Sequence, residues 1–141
     1  MNIRDFFSPT YEFYLDNIDY THKTKSSTTT AYTLNCVDNL SAQMISDSTL
    51  QVKITRKLEF TPDDLYSLSV TFIVLLQIVD EKNEELASLE NLSMELVKGG
   101  HFFLSDIMSR ISALISDITA SFGQPPVVTP PSLVIIERTG D

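Results

Sequence analysis

The chain is poor in the residues that most chemistry requires. It has one cysteine, two histidines and four glycines, and only 10 basic residues against 19 acidic ones. With Cys36 alone, no intrachain disulfide can form, which fits a reducing compartment. Cys36 sits in a strand-like stretch and reads as a small buried hydrophobe. His22 and His101 have no partner at metal-ligand spacing, and no second cysteine completes a zinc site. Gly99-Gly100 lacks the further glycines and the lysine-hydroxyl pair of a phosphate loop, and no nucleophile elbow occurs. The acid pairs Asp63-Asp64 and Glu84-Glu85 read as turn or solvent residues. The sequence therefore predicts no enzyme, no metal and no cofactor. A net charge of −9 argues against nucleic acid, where basic residues must neutralise phosphates, and against an anionic membrane surface. It suits partners that are neutral or basic chains. The longest apolar run, Val70 to Val79, is about half of what a bilayer requires. Residues 1–5 carry an early acid and no signal-like apolar stretch. The expected location is cytoplasmic, without membrane insertion.

At 141 residues the chain fits one domain able to bury a real core. Residues 1–9 read as a flexible lead-in, 10–133 as a single domain and 134–141 as a short tail. Tyr11, Phe13 and Leu15 alternate with polar neighbours as in a half-buried strand. The phase then moves to Ile18 and Tyr20, which predicts a bulge near Asp16-Asn17. Residues 23–30 form a polar Ser/Thr loop. A second strand starts at Tyr32, with a bend expected at Asp38-Asn39. In the third strand Leu50, Val52, Ile54, Leu58 and Phe60 face one way. Gln51, Lys53, Thr55, Lys57 and Glu59 face the other, and Arg56 breaks the apolar side. This gives a sheet with one dry and one wet face. In the fourth strand, about Ser67 to Val79, the second half is apolar on both sides through Ile73, Leu75 and Val79, so something beyond one helix should cover it. The acid-rich stretch from Asp80 to Val97 reads as one or two helical turns or an acidic crossover.

A long helix follows. Leu104, Ile107, Met108, Ile111, Leu114, Ile115, Ile118 and Phe122 form one apolar face at helical spacing. Asp106, Arg110 and Asp117 make a charged stripe. Ser105, Ser109, Ser112 and Ser116 make a third stripe of small side chains, a candidate oligomer interface because small residues admit a close neighbour; solvent is the alternative. Gly123 suits a helix C-cap, and Pro125, Pro126, Pro130 and Pro131 forbid continuation.

Four strands, a long helix and a proline-rich strap resemble the SecB family of export chaperones. The resemblance is carried by residues 32–38 and 50–55 as the second and third strands and by Ile73 to Asp80 in the place of the fourth. It continues through Gly99-Gly100-His101-Phe102-Phe103 leading into Ser105 to Ser121, and through the strap Gly123-Gln124-Pro125-Pro126-Val127 with Pro130. It implies an α+β fold: a four-stranded antiparallel sheet with one long helix packed across it. It also implies a homo-oligomer, dimer or tetramer, that holds unfolded precursor polypeptides in apolar grooves and passes them to the SecA motor. The chain departs from the family after Pro131, where the second, shorter helix and the SecA-contacting tail are missing.

The expected function is that of a passive holdase chaperone for unfolded polypeptide clients in protein export. Its candidate client-binding residues are Ile73, Leu75, Val79, Leu86, Leu89, Phe102 and Phe103. Extended segments would add at a sheet edge and bury alternate side chains. The alternative is a SecB-fold adaptor whose apolar patch is a permanent subunit interface. A third reading is a small-ligand pocket between helix and sheet.

Overall fold

The computed structural model describes residues 2–25, 28, 31–79, 82–123 and 125–134. A 3-10 turn (Ile3–Phe6) leads into β1 (Phe7–His22). Then come β2 (Thr33–Met44), β3 (Thr49–Thr61), β4 (Tyr66–Ile78), two short helices α1 (Asn83–Ala87) and α2 (Leu92–Gly99), and the long helix α3 (His101–Ala120). The strands form one antiparallel sheet in the order β1-β4-β3-β2. The expected α+β fold is therefore the observed one.

Alternation of side chains sends Leu50, Val52, Ile54 and Leu58 of β3 to the same face as Leu68, Val70, Val74 and Leu76 of β4, and all are buried. Helix α3 closes this face with Phe103, Leu104, Ile107, Met108, Ile111 and Ile115. The register of β1 against β4 shifts between Leu15 and Asn17, which is the bulge that the change of apolar phase predicted. It keeps Ile18 and Tyr20 on the α3 side, opposite Val70 and Leu68.

Two expectations need correction, and of the alternatives for the acid-rich stretch the helical one is observed. Residues 1–9 are not a loose lead-in across the described positions 2–9. Asn2 caps the 3-10 turn through Arg4 N (3.2 Å), and Ile3, Phe6 and Phe7 are buried. A Cβ on Gly99 would overlap the Ile3 side chain, so glycine there makes room for the N-terminus to dock. Asp38-Asn39 do not bend β2, which pairs without interruption from Thr33 to Met44. The stretch 83–99 folds as two helices, with Asn91 Oδ1 capping α2 at Met94 N (3.2 Å). The tail 134–141 lies outside the described residues except for Val134.

Candidate functional site

Two surfaces stand out. The first runs along β1. As an edge strand, β1 pairs among the described residues only with β4 and spans 16 residues, so one row of its backbone groups faces outward. Edges of this kind are templates for another strand. The N-terminal half of β1 is covered by α3. Tyr11 Oη donates to Asp106 Oδ2 (3.2 Å), Arg110 Nε donates to Asp106 Oδ1 (3.0 Å), and the Arg110 guanidinium lies 4.7 Å from the centre of the Phe13 ring. Burial first, and then the charge of Asp106, raise the pKa of Tyr11. Beyond Phe13 the cover thins. Leu15, Ile18 and Tyr20 on the helix side are 44, 41 and 43 % exposed, and Tyr14 on the other side is 47 % exposed. The neighbouring β1 positions Glu12, Asp16 and Asp19 are exposed acids. The strip is thus apolar and aromatic with a negative border.

The second surface is the underside of the strap. Arg56, the residue that broke the apolar side of β3, is fully buried. Its cross-strand partner is Asp38, and the two make a bidentate pair, Nε to Oδ1 and Nη2 to Oδ2, both 2.7 Å. Burial works against the Arg56 charge, but the hydrogen bonds and attraction of Asp38 outweigh it, so the Arg56 pKa is raised. Buried charges persist only when their remaining hydrogen-bonding capacity is met. Here the strap meets it. Arg56 also donates to Thr129 Oγ1 (2.9 Å), to the Pro130 carbonyl and to the Ser132 carbonyl (2.8 Å). Asp38 accepts from Val134 N (2.6 Å), and its own N–H donates to the Val134 carbonyl (3.0 Å). From α3, Ser112 Oγ donates to the Thr129 carbonyl (2.7 Å), and Thr119 Oγ1 accepts from Val127 N (2.8 Å).

Each end of the strap meets a cavity. At the α2 end Pro131, Ser132 and Leu133 border a largely apolar cleft of about 380 Å³ with Met94, Leu104 and Met108. At the other end Pro125 and Val127 border one of about 250 Å³ with Tyr20, Phe60, Tyr66 and Phe122. The Phe122 ring lies 4.7 Å from Tyr20 and 5.2 Å from Tyr66, centre to centre.

The residues singled out from the sequence are scattered by this geometry. Ile73 is 4 % exposed yet lies apart from the main core. It sits on the outer face between its cross-strand partners Tyr14 and Lys53. Leu75, its neighbour on that face, is half-buried between Glu12 and Gln51, and Val79 is half-buried, its N–H bonded to the Phe6 carbonyl. Leu86 and Phe103 are core residues, so they leave the candidate groove: both are fully enclosed, and no client can reach them without unfolding. Leu89 and Phe102 pack against that core, with Phe102 stacked on Phe7 at 6.1 Å. Of the serine stripe, Ser109 is exposed, Ser116 is half-buried, Ser105 borders the larger cleft and Ser112 holds the strap. Of the four, Ser112 is the one that hydrogen-bonds the strap among the described residues. The exposed strip on β1 is not marked in the sequence, because alternation and the bulge after Leu15 together send Leu15 and Ile18 toward the core face and do not say where the helix stops covering it.

Among the described residues no cluster of His, Cys, Asp and Glu suits a metal ion, and no helix is long and apolar enough to cross a membrane. Burial, ahead of the neighbouring charges, raises the pKa of Cys36, which opposes a reactive thiolate.

No protein-family model matches the chain, and no curated protein is significantly similar to it. Among solved structures it is similar to the Rv1957 SecB-like chaperone of Mycobacterium tuberculosis, in complex with a ChAD peptide from the Rv1956 HigA1 antitoxin. The match has a TM-score of 0.62 over 84 % of this chain and 86 % of that one, at 13 % identity. The fold is SecB-like. A protein of unknown function from Streptococcus agalactiae aligns over 86 % of this chain and 98 % of its own, at 10 % identity and a TM-score of 0.34, too low to carry an argument. At such identities the SecB-like fold is what the likeness shows, and function has to be argued from the surfaces above.

Proposed function

We propose that the chain is a SecB-like holdase that binds extended, non-native segments of other polypeptides without nucleotide or metal. The observation that carries this reading is the half-covered edge strand β1, with Tyr14, Leu15, Ile18 and Tyr20 open to solvent. A client strand adding there gains main-chain hydrogen bonds, while every second side chain meets the apolar side of β1 formed by Leu15, Ile18 and Tyr20. Glu12, Asp16 and Asp19 favour clients of positive charge. Leu75, half-buried near Tyr14, extends the surface on the outer face, while Ile73 is buried beneath it. The peptide-bound state of the Mycobacterium tuberculosis neighbour supports a polypeptide as the partner class. Service in protein export and a cytoplasmic location belong to the same reading, whereas delivery to SecA does not, because the tail that would contact it is not expected here.

The exposed apolar residues of β1 also favour a second reading, in which this edge joins two copies and the protein is an oligomeric adaptor. Light scattering from a chemically denatured model enzyme, diluted with and without the chain, separates the two. The holdase suppresses aggregation at stoichiometric amounts. Tyr14→Ser combined with Ile18→Ser abolishes suppression and leaves thermal unfolding nearly unchanged. Aggregation unaffected by the wild-type chain rejects the holdase, and a stable dimer that the same pair of substitutions dissociates supports the adaptor.

A further inference from the structure

The strap is bound largely through its main chain: of its described side chains only Thr129 is buried, and Val127 and Leu133 pack half-buried against the core. Pro125, Pro126, Val128, Pro130, Pro131 and Ser132 are exposed. What the rest of the fold grips is the strap's main chain. Six of its backbone groups are bonded: the Val127 N–H, the Thr129, Pro130 and Ser132 carbonyls, and both groups of Val134. The Thr129 hydroxyl is the one strap side chain recognised by hydrogen bonds among the described residues. Recognition of main chain by buried side chains accepts many sequences.

The dimensions agree. The strap runs antiparallel to α3, with Val127 against Thr119 and Leu133 beside Ser105. That span of helix rises about 21 Å at the helical repeat, and Val127 to Leu133 covers about 20 Å when extended. The two cavities mark its ends, and Tyr20 in the smaller one continues the exposed strip of β1.

Among the described residues, the strap meets the apolar core only through Val127 and Leu133. Its departure uncovers little apolar surface and returns a desolvated ion pair to water, which offsets the hydrogen bonds lost. Gly123, with φ of +78°, offers a pivot after α3.

We propose that the groove between α3 and strands β2 and β3, built from Asp38, Arg56, Ser112 and Thr119, is an extended-polypeptide site that residues 127–134 fill in cis. Its trans occupant is an uncharged, extended client segment whose carbonyls turn to Arg56 as those of Pro130 and Ser132 do. This rests on the polypeptide-binding reading and adds that client and strap exclude one another.

The test uses the hydroxyls of Ser112 and Thr129, 3.3 Å apart. In a Cys36→Ala background, Ser112→Cys with Thr129→Cys forms a disulfide that pins the strap. Binding of a reduced, carboxymethylated model polypeptide falls at least tenfold in the oxidised protein and recovers with dithiothreitol. Equal binding in both states overturns the proposal while leaving the holdase intact. No binding in either state rejects both. An intermolecular disulfide shows that the strap reaches a second copy, which also overturns it. Should the double cysteine variant not fold, hydrogen exchange on the wild-type chain decides. Client addition deprotects the Val127 and Val134 amides, and unchanged protection rejects the displacement.

Discussion

One face of the sheet is covered in two different ways. Over β3 and β4, α3 lays down Ile107, Ile111 and Ile115, all fully buried, on Val52, Ile54, Val70 and Val74. A few residues away the strap covers Asp38 and Arg56 with carbonyls and N–H groups. The first cover is apolar, tolerant of small shifts and built on area removed from water. The second is polar and directional, and each of its parts depends on the others. The contrast teaches that the same sheet face carries an apolar layer and a polar one, and that the polar one shields the charges.

The largest effect comes from breaking the polar cover at its centre. Arg56→Ala leaves Asp38 buried without its partner and costs about 3–5 kcal/mol in urea unfolding. Asp38→Leu combined with Arg56→Met removes both charges and costs clearly less than either single change. If the single change is as mild as the double one, the pair is hydrated and the two covers do not differ. Next, Ile107→Ala opens a cavity in the apolar cover and costs roughly 2–5 kcal/mol, while amide exchange in the strap changes no more than global unfolding demands. Smaller still, Ser112→Ala removes the two bonds of Ser112 to Thr129, at about 1–2 kcal/mol. It raises exchange at Val127 and Val134 and leaves the amides of β3 and β4 protected. Uniform loss of protection would merge the two layers into one cooperative unit.

The smallest effect is alkaline. Burial places the pKa of Tyr11 and Tyr66 above the usual phenol value. As pH rises above about 10, the unfolded chain ionises first, so stability present at neutral pH is lost toward the folded pKa. Tyr11→Phe flattens that decline in a pH series of melting temperatures. A decline as steep as in the wild-type chain excludes Tyr11 as a source.

Much of the architecture is legible in the residues. The β3 alternation, the i, i+3, i+4 face of α3 and the phase change at Asp16-Asn17 each describe a local period, and periods survive in any tertiary setting. The candidate site was less legible. Leu86 and Phe103 look like available hydrophobes in sequence and are enclosed in three dimensions, whereas Leu15 and Ile18 look like core and stand open. Burial of an apolar residue depends on what arrives from far along the chain, and the period of its own strand carries no record of that. Arg56 was visible as an interruption, yet its meaning required Asp38, 18 positions earlier, and carbonyls more than 70 positions later.

By itself the sequence determined which segments are strands, where the long helix runs and that prolines stop it, because those outcomes follow from backbone sterics and the spacing of apolar side chains. The tertiary structure alone decided that Ser112, Thr119, Asp38 and Arg56 converge on one main chain, and that half of β1 is left bare. Convergence is set by strand register and by the angle at which α3 crosses the sheet, quantities to which distant residues contribute jointly.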